Sequence, residues 1–122
     1  MATLTPTLTL TSADALVDAL SLSVTDSLTI SGKSKRFTVA TSTSSASVLA
    51  AADYTKSYVY MRNKSTTAAE IITIEKADAG DEYMYLGAGE WTFFPWSSTV
   101  DLFADAAQGN PVLEVLVFQA AA

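Results

Sequence analysis

The sequence predicts an all-β protein, with an antiparallel β-sandwich of jelly-roll type as the favoured architecture. Aliphatic residues alternate with Ser, Thr and charged residues along most of the 122-residue chain. Alternation with a period of two is typical of half-buried strands. Turn-forming residues recur at intervals of about 8 to 12 residues, and many short strands at this spacing are typical of sandwiches and barrels.

The length of the chain predicts a single sandwich domain over residues 1–122, in which residues 1–20 form an N-terminal arm and one short helix. A domain of this size buries roughly two-thirds of the surface that its unfolded chain exposes. It therefore needs no disulfide or metal ion for stability. No Pro- or Gly-rich linker divides the sequence, so we expect one cooperative unit.

The N-terminal segment TLTPTLTLT is a predicted strand with one apolar face. That face carries Leu4, Pro6, Leu8 and Leu10. Because proline lacks the N–H that a strand ladder uses, the segment is expected either as an edge strand of its own sheet or as an arm that adds to a neighbouring subunit. In the following SADALVDAL, Ser12 is a good N-cap and the apolar residues have helical spacing, which predicts one short helix.

Eight further segments alternate with a period of two and are predicted strands: 21–30, 36–41, 58–63, 69–77, 82–86, 90–94, 99–104 and 112–119. Turn-forming clusters separate several of them: Ser31-Gly32-Lys33, Ala79-Gly80-Asp81, Gly87-Ala88-Gly89 and Gln108-Gly109-Asn110-Pro111. Glycine and proline supply the backbone angles that a chain reversal needs. Residues 41–53 fit a loop, a short helix or a strand equally well.

The charge pattern argues against nucleic acid and membrane as partners. The formal net charge is −6 and the seven basic residues are scattered, whereas phosphate binding needs clustered Lys and Arg. The densest basic group, 32–36, is predicted to be a solvated turn between two strands. No apolar run approaches the roughly 18 residues that span a bilayer, and the N-terminus lacks the pattern of a signal peptide. We expect a protein made in the cytoplasm.

The composition also argues against an enzyme. The chain has no His and no Cys, which removes Ser-His and Cys-His catalytic pairs and the usual zinc ligands. Asp78–Glu82 (DAGDE) is predicted to be a solvated turn, with weak calcium binding as the alternative, because it lacks the spacing of a calcium loop. Gly87–Gly89 precedes a strand and not a helix, so it predicts a tight turn and not a phosphate loop. We expect no catalytic residue, no cofactor and no metal ion.

The stretch EWTFFPW contains the densest group of aromatic residues. Trp91 and Phe93 share one face of the predicted strand, and Pro95 is expected to end the pairing. In the first interpretation this face is core, while Phe94, Trp96 and Phe103 cover a corner of the sandwich.

In the second interpretation, Trp96 lies exposed at a loop tip and anchors a protein–protein contact or stacks on a sugar. The candidate residues for protein–protein contact are accordingly Leu4, Pro6, Leu8, Leu10, Phe94, Trp96 and Phe103. Tyr58 and Tyr60 share a face, as do Tyr83 and Tyr85. Such tyrosines form either a glycan-binding platform or cross-strand packing.

Two stretches of the C-terminal half, YVYMRNKSTTAAEIITIEKA and YMYLGAGEWTFFPWSSTVDLFADAAQGNPVLEVLVFQ, resemble small structural proteins of tailed bacteriophages of the marine and cyanobacterial type. The resemblance covers about 60 residues and is carried by Asn63, Leu86 to Glu90, Pro95-Trp96, Asp101-Leu102 and Pro111 to Phe118. It implies a virion protein at the capsid surface, of the decoration or cement type.

The resemblance further implies the major capsid protein or another virion protein as partner, and a homo-oligomer, either a trimer or a dimer. An oligomer that grips several sites gains affinity through effective concentration. The alternative is a glycan-binding, receptor-binding or adaptor module of a phage tail or fibre. The resemblance implies no catalytic or cofactor-binding residue.

Overall fold

The computed structural model describes residues 2–77 and 80–121. Strands account for 58% of the structure and no α-helix is present among the described residues, which confirms the predicted all-β class. In chain order the strands are β1 (Ala2–Leu4), β2 (Thr7–Ser12), β3 (Leu20–Thr25), β4 (Leu28–Ala40), β5 (Ala46–Leu49), β6 (Ser57–Asn63), β7 (Ile72–Lys76), β8 (Glu82–Leu86), β9 (Trp91–Trp96), β10 (Leu102–Ala106) and β11 (Val112–Ala120). One 3-10 turn, Ala51–Asp53, follows β5.

The strands form three antiparallel sheets. Five strands pair in the order β1-β4-β11-β6-β9, four in the order β5-β10-β7-β8, and β2 pairs with β3. From β4 onward the pairing is nested: β4 with β11, β5 with β10, β6 with β9, and β7 with β8. The segment from β4 to β7 is therefore one arm of a long folded hairpin, and the segment from β8 to β11 is the other arm, which pairs with the first.

The two larger sheets contribute to one buried hydrophobic cluster. Leu113, Val115 and Val117 of β11 are fully buried in it, and the other strands supply Val48, Leu49, Val59, Met61, Ile72, Ile74, Leu86, Trp96, Leu102 and Ala104. These residues follow the period of two along each strand. Burial of one side chain of this size stabilises the fold by about 1.5–3 kcal/mol.

A buried amide joins the β6–β7 loop to the β8–β9 turn at one end of the larger sheets. The Asn63 side chain donates hydrogen bonds to the carbonyls of Glu70 (2.8 Å) and Leu86 (2.9 Å), and its oxygen accepts one from the Ser65 N–H (2.9 Å). The Asn63 carbonyl accepts a bond from Gly89 N, 2.9 Å away, in a turn where Gly89 has φ +78°. Asn63 is fully buried, so these bonds replace the water that its amide loses.

The helix predicted from Ser12 is not formed. Ser12 does accept hydrogen bonds from the N–H groups of Asp14 (3.3 Å) and Ala15 (2.9 Å), as an N-cap would, but residues 13–18 make only bends. Leu16 is 59% exposed and Val17 is fully exposed, so its apolar residues have no surface to pack against. A segment this short does not form a stable helix without such packing. It forms the tip of the β2–β3 hairpin.

Two predicted boundaries near the N-terminus are wrong. The first strand is divided at Pro6, so Leu4 belongs to β1, which pairs with β4, and Leu8 belongs to β2. The predicted strand 21–30 is divided by a turn at residues 26–27.

The predicted turn at 32–36 is absent, because β4 runs through it for 13 residues. The register against β11 shifts there, from Ser34 opposite Phe118 to Ile30 opposite Ala120. Gly32 thus marks a bulge and not a reversal, which is a common role of glycine within a strand. Of the predicted acidic turn, Asp78 and Ala79 lie outside the described residues.

The alternation along β9 is confirmed, but the face assigned to the core is wrong. Trp91 is 53% exposed, whereas Trp96 is 3% exposed and its indole N–H donates to the Val100 carbonyl at 3.1 Å. Pro95 does not end the strand, since it lies opposite Tyr58 in register. β9 is the last strand of its sheet, so one of its edges has no partner and a missing N–H is tolerated there.

Trp96→Ala is expected to lower the free energy of unfolding by about 3–5 kcal/mol, because it removes a large buried ring. Trp91→Ala is the matched control and should cost only about 1–2 kcal/mol, since its ring is 53% exposed and loses mainly its contact with Tyr60. Urea titrations followed by circular dichroism measure both. A larger loss for the Trp91 variant would contradict the assignment of the two faces.

Asn63→Ala should destabilise the protein by about 2–5 kcal/mol, because two carbonyls and one N–H that are buried or part-buried lose their side-chain partner. Arg62→Ala, at the exposed neighbouring position, serves as the control. The same titration detects the difference, and equal losses for the two variants would show that the amide network contributes nothing.

Candidate interaction surface: an apolar hairpin and an aromatic groove

The β2–β3 hairpin presents an apolar face that the domain does not cover. Leu8 lies opposite Val24, and Leu10 lies opposite Leu22, so all four share one face. Their side chains are between 41% and 52% exposed. In the described part of the chain, β2 and β3 pair with each other and with no other strand. The opposite face carries only hydroxyl residues: Thr7, Thr9, Thr11, Ser21, Ser23 and Thr25.

An aromatic platform covers the outer face of β6 and β9. Tyr58 stacks on Phe93, with ring centroids 6.4 Å apart and planes 16° from parallel. Tyr60 stacks on Trp91 at the same centroid distance, with an interplanar angle of 29°. Aromatic pairs of this kind add about 0.5–1.5 kcal/mol beyond their area. The alternation that buries Val59 turns these four rings outward.

A groove of about 510 Å³ lies between the hairpin base and this platform. The hairpin side supplies Pro6, Thr7, Leu8, Val24, Asp26 and Leu28, and the sheet side supplies Tyr58, Tyr60, Trp91, Phe93 and Pro95. Leu8 and Val24 also belong to the hairpin's apolar face. The hairpin face, the groove and the platform therefore make one continuous surface, which we call the apolar surface.

The apolar surface carries little charge although the chain has a net charge of −6. No residue of β2 or β3 is charged, and Asp26 is the only carboxylate among the groove residues given above. The Lys56 ammonium lies 5.4 Å from the centroid of the Tyr58 ring, at the edge of the platform. Such a surface suits apolar contact better than recognition of a charged ligand.

The structure brings together only part of the predicted contact set. Pro6 and Leu8 line the groove, and Leu10 extends the same face toward the hairpin tip. Leu4 is half-buried in β1, Phe94 packs on the inner cluster, Phe103 is half-buried in β10, and Trp96 is buried. Trp96 therefore presents no surface for a partner, contrary to the interpretation of an exposed loop tip.

Several residues of the apolar surface were not predicted as contacts, among them Leu22, Val24, Trp91 and Phe93. The alternation in SLSVT indicated that Leu22 and Val24 share a face. It did not indicate that the strand lies outside the two larger sheets, which leaves that face exposed. Trp91 and Phe93 were assigned to the core because aromatic residues are usually buried.

A pair of carboxyl groups, buried Glu75 and half-buried Asp105, lies on the outer face of the four-stranded sheet. Glu75 is 6% exposed, hydrogen-bonds to Asp105, and accepts a bond from the Ser45 hydroxyl at 3.4 Å. Burial raises the pKa of Glu75 above its ordinary value of 4.5, and the neighbouring Asp105 carboxylate raises the pKa further. One shared proton would allow the two carboxyl groups to hydrogen-bond.

We expect the free energy of unfolding of the Glu75→Gln variant to increase relative to that of the wild type as the pH rises. Protonated Glu75 stabilises the wild type fully when the pH is below the ordinary pKa of the carboxyl group. This stabilisation is lost as the pH rises through the higher pKa of the folded protein. Glutamine keeps the hydrogen bonds without ionising. Urea titrations at acid and neutral pH measure the change, with Asp81→Asn, an exposed carboxylate, as the control. A difference in stability between Glu75→Gln and wild type that does not change with pH would contradict the raised pKa of Glu75.

No protein-family model, curated protein or solved structure matches the chain. Residues 2–77 and 80–121 contain no helix long and apolar enough to cross a bilayer. In the same residues, no group of three or more acidic, His or Cys side chains is placed to hold a metal ion. Function is therefore inferred from the apolar surface.

Proposed function

We propose that the protein is a non-enzymatic structural protein of a tailed-phage virion, a decoration or cement protein on the capsid surface. Its partner would be the major capsid protein or another virion protein. The observation that carries this proposal is the uncovered apolar surface. Soluble monomers seldom leave contiguous apolar patches of this kind exposed, and such patches commonly mark protein-binding sites.

The nested pairing supports a jelly-roll sandwich as the finer description of the fold. The two larger sheets contain β4-β11-β6-β9 and β5-β10-β7-β8, with β1 added at the edge of the first. A jelly roll is eight antiparallel strands in two four-stranded sheets, wound from one folded hairpin. Jelly rolls occur in viral capsid domains, which agrees with the proposed role but does not establish it.

The residues that carry the phage resemblance have roles in the framework of the fold. The Asp101 carboxylate accepts a hydrogen bond from Ala51 N at 2.7 Å, and the Pro111 carbonyl accepts bonds from Thr41 N (3.1 Å) and Thr41 Oγ1 (2.6 Å). The Glu90 carboxylate accepts a bond from Gly87 N at 2.6 Å. A shared pattern of such residues supports a shared fold. It leaves the partner to be identified by experiment.

The second candidate function is glycan binding by a tail or fibre module. It is favoured by one observation, that Trp91 is 53% exposed on a stacked aromatic platform with exposed Arg62 opposite it in register. Exposed aromatic rings stack on sugar rings, and a basic side chain can bind hydroxyl groups. Against it, the groove offers few polar groups to orient a sugar.

The proposed function predicts that the protein copurifies with assembled particles of the phage that encodes it. Density-purified particles would be analysed by quantitative mass spectrometry against the major capsid protein. We expect a fixed, high copy ratio that survives a salt wash, because apolar contacts are not screened by ions. A tail or fibre module would instead appear at a few copies per particle.

Retention of the isolated protein on a glycan array, lost in Trp91→Ala and kept in Tyr83→Ala, would favour the second function. Tyr83 is the matched control because it is also exposed, at 48%, and lies in β8 of the other sheet. Absence of the protein from purified particles would reject the first function.

A further inference from the structure

We infer that the apolar surface is a self-association site, in which the groove of one copy receives the hairpin of a second copy. The inserted part is the outer half of the hairpin face, Leu10 and Leu22, and the receiving part is the platform around Trp91 and Phe93. The inference shares one premise with the proposed function, namely that the apolar surface binds protein.

The two halves of the apolar surface have complementary shapes. The hairpin is a narrow two-stranded ribbon whose exposed side chains are aliphatic. The groove is a concave, largely apolar volume of about 510 Å³ with a floor of stacked rings. Aliphatic side chains pack well on aromatic faces. A single chain thus carries both the insert and the receptor.

The hairpin also has a physical reason to need a partner. A two-stranded sheet by itself is marginally stable in water, and among the described residues no third strand is hydrogen-bonded to this one. Its polar face carries hydroxyl side chains that can face water or bond to one another, as Thr7 and Thr25 do with their side-chain oxygens 3.2 Å apart. The aliphatic face remains exposed to water, and contact with a second copy would bury it.

The charge distribution favours a second copy of this chain over an oppositely charged partner. Two copies that each carry a net charge of −6 repel one another over most of their surfaces. The hairpin strands are uncharged, and the hairpin's two aspartates, Asp14 and Asp18, lie beyond them at its tip. Asp26 is the only carboxylate among the groove residues given above, so copies that meet through the apolar surface bring few like charges together. A basic partner would find no matching acidic patch there.

The area requires the contact to be reciprocal. Six residues in a strand span about 20 Å and two strands are roughly 10 Å wide, so a whole hairpin face covers only about 200 Å² and its inserted outer half only about 100 Å². A stable interface buries about 800 Å² on each partner. Each copy must therefore both insert its hairpin and receive one, with part of the platform added, in a two-fold pair or a closed ring.

Sedimentation of the full chain over a range of concentrations tests the inference first. We expect wild type to self-associate with micromolar or tighter affinity. The double variant Leu10→Asp/Leu22→Asp should weaken self-association by roughly a hundredfold or more, because it buries two unpaired charges. The matched control, Thr9→Asp/Ser23→Asp, places the same charges on the opposite face of the hairpin and should leave association unchanged.

Disulfide trapping tests which surfaces meet. Because the chain has no cysteine, single-cysteine variants form only the intended bonds. A mixture of Leu22→Cys and Trp91→Cys, one of them carrying a mass tag, should form the mixed disulfide under mild oxidation. Neither variant alone should form dimers at a comparable rate, and Ser23→Cys should not replace Leu22→Cys.

Three results would overturn the inference. Wild type could be monomeric at every concentration, with or without retention on a glycan array. Association could survive Leu10→Asp/Leu22→Asp. Leu22→Cys alone could cross-link as fast as the mixture, which would show that hairpins meet each other. A protein that self-associates as expected but is absent from particles would leave this inference standing and reject the virion role alone.

Discussion

The pairing of β11 with β4 on one side and β6 on the other is the constraint on which the rest of the structure depends. β11 lies at the centre of the five-stranded sheet, and its register with both neighbours extends over most of its nine residues. That register places Leu113, Val115 and Val117 in the buried cluster. Because successive side chains point to opposite faces, it also places Leu116 and Phe118 on the outer face, next to Tyr60 and Tyr58.

The five-stranded sheet therefore has an apolar inner face, covered by the body of the domain, and an uncovered aromatic patch on its outer face, beside Arg62 and the Arg36–Glu114 ion pair. The four-stranded sheet supplies inward residues such as Ile72, Ile74 and Leu102 to the shared cluster. The outer face is lined by tyrosines, Trp91 and Phe93, and the hairpin base overlies one end of it. An antiparallel sheet usually turns a polar face to water. The aromatic patch departs from that rule, and the proposed binding function rests on it, whether the partner is a protein or a glycan.

The resemblance to phage structural proteins and the apolar surface concern different parts of the molecule. The motif residues Asn63 and Pro111 hold loops together through buried hydrogen bonds, and Asp101 does so through an exposed one. The hairpin that distinguishes the surface lies in the first 25 residues, outside the resembling stretches. Framework residues are constrained by the fold, whereas a hairpin on the outside is free to change with its partner. Specificity is thus expected to reside in the N-terminal segment.

The sequence by itself determined the all-β class and the membership of each face, since a period of two follows from strand geometry alone. It grouped Trp91 with Phe93, Tyr58 with Tyr60, and Leu8 with Leu10, and it located β6, β7, β8 and β11 closely. Only the tertiary structure decided which face of each strand is inside. Trp96 is buried and Trp91 exposed because β9 pairs with β6 in a register that aligns Trp96 with inward Ser57 and Trp91 with outward Arg62. The tertiary structure also decided the conformation of residues 13–18. Ser12 forms the predicted cap, but no helix follows because no neighbouring surface covers the apolar side chains. Such packing depends on residues distant in sequence.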